Sequence, residues 1–246
     1  TSNYLIPRLN GENFLEYPSL GYWPIALTLS MSKKPSDLLA FLPIVFLGAG
    51  TVLITFLIGK TLAGERIGLM GGFILSTMLG FVTLHRHCRV DPALLFFVTL
   101  SLYGLVAGYH ESRKSFLFSS VFYLAMAGAF LSKGLIGVAI PIGTAVVFLI
   151  TKRDLTAIRK LLLGWGTLLF LLPILLWIGS VWLLEGPGIF QEMIRQSLWR
   201  FFSPSADHTR PFYSYFIPTF LYLMPWTFLP LVLLWYRWGP SQSREP

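Results

Sequence analysis

Asp91 is the carboxylate whose sequence surroundings best suit chemistry. It lies in Arg89–Pro92, directly before an apolar run, and His85 and His87 precede it. Proline suits the first position of a helix, so we expect this carboxylate where a helix begins. It could simply cap that helix, which is what the local sequence alone favours. It could also lie at the mouth of a cavity, where it would bind a ligand hydroxyl or accept its proton.

Lys133 is the second charged residue of interest, because Ser132–Gly134 joins two apolar runs with almost no loop between them. Its ammonium could simply extend to water from the tip of a helical hairpin. It could instead bind phosphate, because the start of a helix is a favourable place for an anion. Both interpretations stay open at the sequence level.

Two further segments mix charged side chains with aromatics and prolines, namely Glu16–Pro18 and His208–Tyr213. Glu16 and His208 are candidate ligands of a divalent metal of unknown identity, although no tight ligand spacing supports one. Arg210 is a candidate contact of a phosphate group. The simpler alternatives are a carboxylate at the water boundary and an aromatic membrane anchor.

Seven apolar runs separate these segments and predict an all-α polytopic membrane protein. A helix needs about 20 apolar residues to cross a bilayer, and solidly apolar runs favour helices over the alternating strands of a barrel. Two shorter amphipathic or proline-containing pieces, 20–31 and 189–202, are predicted to be interfacial helices. The predicted spans are 38–59, 67–84, 92–109, 115–131, 135–150, 161–184 and 215–236.

This pattern divides the chain into four parts. They are an external juxtamembrane segment with an interfacial helix (1–35), a six-helix transmembrane core (36–184), an external loop with an amphipathic helix (185–214), and a final transmembrane helix with a cytoplasmic tail (215–246). Lys and Arg are divided almost evenly between the two sides, so the positive-inside rule does not orient the chain. The irregular polar segments nevertheless all fall on one side. Their cations predict an anionic ligand there, such as a lipid phosphate.

Composition supports a membrane protein and argues against other classes. Charged residues make up 12% of the chain and hydrophobic residues 54%, whereas a soluble domain carries about 25% charged residues. The net charge of +8 is scattered over short loops, which favours an anionic bilayer over nucleic acid as the partner. The sequence contains no P-loop or dinucleotide fingerprint, so we expect no nucleotide cofactor. Cys88 is the single cysteine and excludes an internal disulfide.

Four segments, in order along the chain, resemble motifs of one family. Residues 7–11 with 14–23 resemble PRLNG…yfEKPPLxYW, residues 89–97 resemble xxDPxLxFF, residues 131–141 resemble TKGPxGxxxP, and residues 208–226 resemble HxxPFxYYxxxxxxxxxPW. The family is that of the bacterial polyprenyl-phosphate-dependent glycosyltransferases with the GT-C fold, the aminoarabinose-transferase and protein-O-mannosyltransferase-like group.

The resemblance implies an inverting sugar transfer on the extracytoplasmic face of the bacterial inner membrane. The donor would be a polyprenyl-phosphate-linked sugar, and the acceptor a hydroxyl of a lipid, glycan or protein. Asp91 would be an accessory acid near the sugar, and Glu16 and His208 would be metal-site candidates. The substrate-binding candidates are Arg8, Tyr17, Arg89, Lys133, Arg200 and Arg210.

Three features of the chain depart from the family pattern. The family's proposed main base is an aspartate of an Asp-Glu pair that precedes the PRLNG segment, so we expect these residues to be a fragment that lacks both this base and the first span. Tyr17 stands where the family usually has lysine, and Ser197 where many members have histidine or asparagine. These replacements predict a divergent donor site or altered contacts to the lipid phosphate.

Two other functions remain open at this level. A transporter or flippase for lipid-linked sugars would carry charge within its spans and discontinuous helices at mid-membrane. A non-catalytic membrane subunit would not bring Glu16, Asp91, Lys133 and His208 together in space.

Overall fold

The computed structural model describes residues 4–9, 12–111, 115–154, 164–202 and 211–229, together with Val232 and Trp235. A two-stranded hairpin, β1 (Arg8–Leu9) and β2 (Glu12–Asn13), opens this part of the chain. The helices that follow are α1 (Trp23–Ser30), α2 (Asp37–Ala63), α3 (Glu65–Thr77), α4 (Leu79–Leu84), α5 (Asp91–His110), α6 (Ser115–Lys133), α7 (Ile136–Thr151), α8 (Gly166–Glu185), α9 (Pro187–Phe202) and α10 (Phe216–Tyr222).

Four of the described helices, α2, α5, α6 and α8, are long and apolar enough to cross a membrane, and α7 is apolar but shorter. Large apolar side chains such as Phe46, Phe116 and Leu183 stand exposed on these helices, where lipid is their natural solvent. The protein is therefore a polytopic helical membrane protein, as the sequence predicts. The predicted count of seven spans is not confirmed, because the second and seventh runs differ from the prediction.

The second predicted span is not one helix. Helix α3 ends at Thr77 and α4 begins at Leu79, because Met78 takes an extended ψ of 128°. The N–H of Leu79 donates to the carbonyl of Met224 at 2.9 Å, and the indole N–H of Trp226 donates to the Thr77 hydroxyl at 2.8 Å. Groups at the break thus find partners in the C-terminal segment, as an apolar environment requires.

The seventh predicted span, 215–236, is also interrupted within its described part. Helix α10 stops at Tyr222, and a turn leads to a short 3₁₀ helix, Trp226–Phe228. Pro225 in this turn has no N–H to donate, so it cannot continue the helical hydrogen-bond pattern. The final transmembrane helix predicted here therefore starts with a seven-residue helix and a turn.

Helix α6 is the centre of the bundle and packs against α5, α7 and α8. The Ser101 hydroxyl of α5 donates to the Phe122 carbonyl of α6 at 3.0 Å. A Cβ on Gly104 would lie only 2.6 Å from the Phe122 nitrogen, so the two helices touch through their backbones. Phe122 also packs with Ala145 of α7, and Ala127 packs with Ile174 of α8.

The hairpin predicted from Ser132–Gly134 is confirmed. Only Gly134 and Leu135 separate α6 from α7. Gly134 has φ of +72°, which glycine adopts without steric cost. Lys133 is consequently the last residue of the central helix, and its side chain lies at one end of the bundle.

Helix α9 is amphipathic and includes the helix predicted at 189–202, whose place at the membrane interface stays a prediction. Its Ile189 and Met193 pack against a buried cluster that includes Val181 of α8. On the exposed side, Arg195 and Glu192 form an ion pair at 2.7 Å. The hydrogen bonds that Arg195 and then Gln196 donate lower the pKa of Glu192 to about 2.

Candidate functional site

The N-terminal segment reaches the helix ends because its hairpin is anchored to α8. Arg8 pairs with Asn13 in an antiparallel register, and the Phe14 N–H donates to the Pro7 carbonyl at 2.8 Å. The side chains of Ile6 and Leu15 are buried against Val181 and partly buried Trp177 of α8. This anchoring fixes the course of the residues that follow, Glu16 to Tyr22.

A 3₁₀ turn, Ser19–Tyr22, then packs onto the ends of α5 and α6. Ser19 is 1% exposed, and its hydroxyl accepts a hydrogen bond from the Trp177 indole at 3.2 Å. A Cβ on Gly21 would lie 2.9 Å from the Val90 side chain and 3.2 Å from the Ser132 carbonyl oxygen. Glycine is therefore what allows this turn to meet both helices.

Lys133 and Asp91, 42 residues apart in sequence, form an ion pair in which the ammonium Nζ contacts the carboxylate Oδ1. The side chains are 25% and 24% exposed, so solvent screens their attraction less than it would on an open surface. Asp91 is the first residue of α5, and the N-cap position belongs to Val90. The capping role that local sequence favours for Asp91 is therefore not what the structure shows.

Helix dipoles support both charges of this pair. Asp91 lies in the first turn of α5 and Lys133 in the last turn of α6. A carboxylate is stabilised near the positive N-terminal end of a helix and an ammonium near the negative C-terminal end. The two residues are thus placed at antiparallel helix ends that suit their ionised forms.

Tyr17 completes the arrangement from the N-terminal segment. The Lys133 Nζ lies 5.5 Å from the centroid of the Tyr17 ring, within the range of a cation–π interaction. We call these three residues the Asp91–Lys133–Tyr17 cluster. It brings together three of the four sequence motifs, each from a distant part of the chain.

The other predicted site residues are placed less closely or not at all. Arg8 on β1, Glu16 and Arg89 are exposed to solvent. Glu16 directly precedes Tyr17, and Arg89 lies two positions before Asp91. Arg200 lies on α9, but its side chain is not among the described ones. His208 and Arg210, and with them the start of the fourth motif, lie outside the described residues.

The metal prediction finds no complete ligand set in the described part of the chain. There, no group of three or more His, Cys, Asp or Glu side chains is arranged to hold an ion. Glu16 would need His208 as a partner, which the structure does not describe. Metal binding at this pair therefore stays a prediction, and we assign no chemistry to it.

The segment that precedes α5 packs on α2. His85 lies against Gly48, where a Cβ would come within 2.8 Å of its ring, and its Nδ1 is 2.8 Å from the Phe81 carbonyl oxygen. Partial burial, and secondly the charge of Asp37, raise the pKa of the Cys88 thiol.

Sequence reasoning missed the residues that build the site without carrying its charge. Ser19, Gly21 and Trp177 position the N-terminal segment, but none has a chemically distinctive neighbourhood in the sequence. Trp177 lies within an apolar run, where an aromatic residue is unremarkable. The one feature of the sequence that could have indicated this packing was Gly21, directly before Tyr22 and Trp23, since glycine allows a close approach of the backbone.

The fold and the site together define a class of protein. It is a polytopic helical membrane protein with a partly buried carboxylate and ammonium at one end of its bundle, where the N-terminal segment packs. Such a site can hold an anionic group on the ammonium and a hydroxyl on the carboxylate.

The chain belongs to the family described as dolichyl-phosphate-mannose-protein mannosyltransferase, whose model matches residues 16–177. The matched range includes all three residues of the cluster. The family predicted from the four sequence motifs is thereby confirmed.

Two relatives illustrate the similarity. A protein of Aquifex aeolicus is 28% identical over 246 residues, which is 100% of this chain and 48% of that protein. The undecaprenyl phosphate-alpha-4-amino-4-deoxy-L-arabinose arabinosyl transferase of Pseudomonas paraeruginosa is 26% identical over 235 residues, covering 92% of this chain and 41% of the relative. The chain thus spans less than half the length of either protein.

Two solved structures of ArnT from Cupriavidus metallidurans share the fold. The apo structure matches with a TM-score of 0.80 and 19% identity, and the structure bound to undecaprenyl phosphate with a TM-score of 0.82 and 20% identity. Each match covers 96% of this chain and 43% of the ArnT chain. The predicted polytopic fold is confirmed.

Proposed function

We propose that this protein is a membrane glycosyltransferase that moves a sugar from a polyprenyl-phosphate donor to a hydroxyl acceptor. The Asp91–Lys133 pair at the end of the bundle is the observation that carries the proposal. Membership of the mannosyltransferase family supports it, as does the arabinosyl transferase name of a relative. The proposed location is the bacterial inner membrane with the cluster on its extracytoplasmic face.

Lys133 has the proposed role of binding the donor phosphate. Its ammonium offers three N–H donors and no acceptor, and it is partly shielded from water. A charge-assisted hydrogen bond to a phosphate oxygen is stronger than a neutral one. The same contact would stabilise the charge that the phosphate gains as it leaves the sugar.

Asp91 has the proposed role of contacting a hydroxyl at the reacting sugar. In the transfer, the bond between the anomeric carbon and the phosphate oxygen breaks, and the phosphate keeps the electron pair. A bond from the acceptor oxygen to the anomeric carbon forms, and the acceptor proton passes to a carboxylate base. Asp91 is an accessory acid in this scheme, able to accept a hydrogen bond once Lys133 turns to the phosphate.

Transport of lipid-linked sugars is the less favoured alternative. The described part of the chain does contain interrupted apolar runs, one of which breaks after Tyr222 and another at Met78. However, groups on both sides of this break bond to Met224 and Trp226, and charges in α3 and α4 occur only at Glu65 and Arg66. The break is therefore filled by the protein itself and lacks the intramembrane charges of an ion or substrate path.

A purely structural subunit is also disfavoured. It predicts that Glu16, Asp91, Lys133 and His208 do not come together. Asp91 and Lys133 do meet, with Tyr17 beside them, while His208 lies outside the described residues. Pairing two charges at a partly desolvated site gives little stability on its own, so a structural role would not explain the arrangement.

Binding of undecaprenyl phosphate to the purified protein in nanodiscs tests the proposal. We expect the Lys133→Ala variant to bind radiolabelled undecaprenyl phosphate about tenfold more weakly, because a hydrogen bond to a charged group contributes about 1.5–3 kcal/mol. Lys133→Arg keeps the charge and should retain most of the affinity.

Lys152 provides a matched control, since it is an exposed lysine after the end of α7. Lys152→Ala should bind undecaprenyl phosphate like the unchanged protein. Equal affinity of the Lys133→Ala and Lys152→Ala variants would remove Lys133 from the proposed site and with it the basis of the functional proposal.

A further inference from the structure

The Tyr17 ring gives the Lys133 ammonium a second partner besides Asp91. Nζ lies 5.5 Å from the ring centroid while it contacts the Asp91 carboxylate. The ammonium is thus attracted from two directions, by a carboxylate on α5 and by an aromatic face on the N-terminal segment.

Other aromatic residues of its own segment hold the Tyr17 ring in place. Phe14 packs against it with ring centroids 6.2 Å apart. Phe14 also meets the Tyr22 ring at a right angle, again at 6.2 Å. Since Tyr22 ends the 3₁₀ turn that packs on α5 and α6, the orientation of the Tyr17 face is tied to the same helix ends that carry Asp91 and Lys133.

A π face and a carboxylate hold an ammonium in different ways. The carboxylate takes a hydrogen bond from it, whereas the ring attracts the charge through its quadrupole. A phosphate that replaced Asp91 as hydrogen-bond partner would therefore leave the contact with Tyr17 intact. The lysine side chain is long and flexible. The contact with the ring would therefore hold the ammonium in position while its hydrogen-bond partner changes from Asp91 to the phosphate.

We infer that Tyr17 is a positioning residue that keeps the Lys133 ammonium in place while a lipid phosphate displaces Asp91 from it. The inference rests on the proposed function, because it takes Lys133 as the phosphate ligand. It changes the predicted role of Tyr17 from a direct substrate contact to a residue that acts through Lys133.

A graded weakening of the ring face tests this inference. The protein is prepared with phenylalanine at position 17, and then with phenylalanine carrying one, two and three ring fluorines, which withdraw charge from the face with little change of shape. Tyr17→Phe keeps the ring face, and its affinity for undecaprenyl phosphate in nanodiscs is the reference for the series. Each fluorine should weaken binding, to about tenfold in total for the trifluorinated ring. A flat series would overturn the inference.

The same series in the Lys133→Ala protein separates the possible explanations. Without the ammonium, fluorination should no longer affect binding. If the gradient persisted there, the ring would contact the lipid directly, and the positioning role would be wrong.

Failure of this inference can be told from failure of the proposed function. If Lys133→Ala alone leaves the affinity unchanged, the phosphate-binding role of Lys133 is wrong and the functional proposal fails. If Lys133→Ala weakens binding but the fluorine series is flat, only the role of Tyr17 is wrong.

Discussion

Asp91 and Lys133 neutralise each other in the structure, and each is placed at the helix end that favours its charge. A neutral pair of this kind keeps an ammonium and a carboxylate side by side. In the proposed function, an arriving phosphate would compete with Asp91 for the ammonium, and binding of the donor would free the carboxylate for a hydroxyl. The pair thus links phosphate binding to the exposure of a hydrogen-bond acceptor.

Replacement of Asp91 by asparagine tests this link. Asp91→Asn should lower sugar transfer by about 10- to 100-fold, because a hydrogen bond to a charged group contributes about 1.5–3 kcal/mol, while the protein still inserts into the membrane normally. Undecaprenyl phosphate should bind at least as tightly as before, because Lys133 loses its competing partner. Transfer is measured from a lipid-linked sugar donor, and binding from the radiolabelled lipid.

Asp37 supplies the matched control, since it is an exposed carboxylate in the first turn of α2. Asp37→Asn should leave both transfer and binding unchanged. Unaltered turnover in Asp91→Asn would refute the role assigned to Asp91.

At the residue level, the sequence predicted the charged residues but not their pairing. Asp91 and Lys133 stood out because each charge interrupts or borders an apolar run. Their contact depends on the packing of α5 on α6, which Gly104 and Ser101 allow. The capping interpretation of Asp91 was wrong because it considered only the α5 start and not the ammonium at the end of α6.

Among the elements, the 3₁₀ turn Ser19–Tyr22 has a tight steric requirement at the site. The turn fits between Val90 and Ser132 only because Gly21 has no side chain. Its Tyr22 ring contacts Phe14, which in turn packs against the Tyr17 ring. The turn therefore connects the N-terminal segment to the cluster.

A methyl group at Gly21 should displace this turn. We expect Gly21→Ala to lower the free energy of unfolding by about 1–3 kcal/mol, the usual cost of overpacking. Binding of undecaprenyl phosphate should weaken in parallel, because Tyr17 moves away from Lys133. Thermal unfolding in detergent and lipid binding in nanodiscs measure the two effects.

Gly179 in α8 is the control, since a Cβ there would meet nothing within 4 Å. Gly179→Ala should leave lipid binding unchanged and keep or raise stability, because alanine favours a helix by about 1 kcal/mol over glycine. Identical behaviour of the two variants would show that the close approach of the Gly21 turn is not required.

The helices could be predicted where their determinants are local. Length and uninterrupted apolarity locate α2, α5 and α6 within a few residues of the predicted spans. The break at Met78 could not be predicted, because methionine is a good helix former. The break is stabilised by Met224 and Trp226, which lie about 150 residues later in the chain.

For the whole molecule, the central helix α6 relates the membrane core to the site. Its flanks contact α5, α7 and α8, and its last residue is Lys133. Segments from the N-terminal hairpin, the turn before α5 and the α6–α7 hairpin meet at this one end of the bundle. A site at this end of the bundle has an evident use in a family of membrane transferases.

The central claim is that a lipid phosphate binds at Lys133, and a structure of the protein in nanodiscs with undecaprenyl phosphate tests it most directly. We predict that the phosphate lies within hydrogen-bond distance of the Lys133 ammonium, that the Asp91 carboxylate has parted from it, and that the Tyr17 ring remains beneath it. A phosphate bound elsewhere, with the Asp91–Lys133 pair intact, would contradict the account.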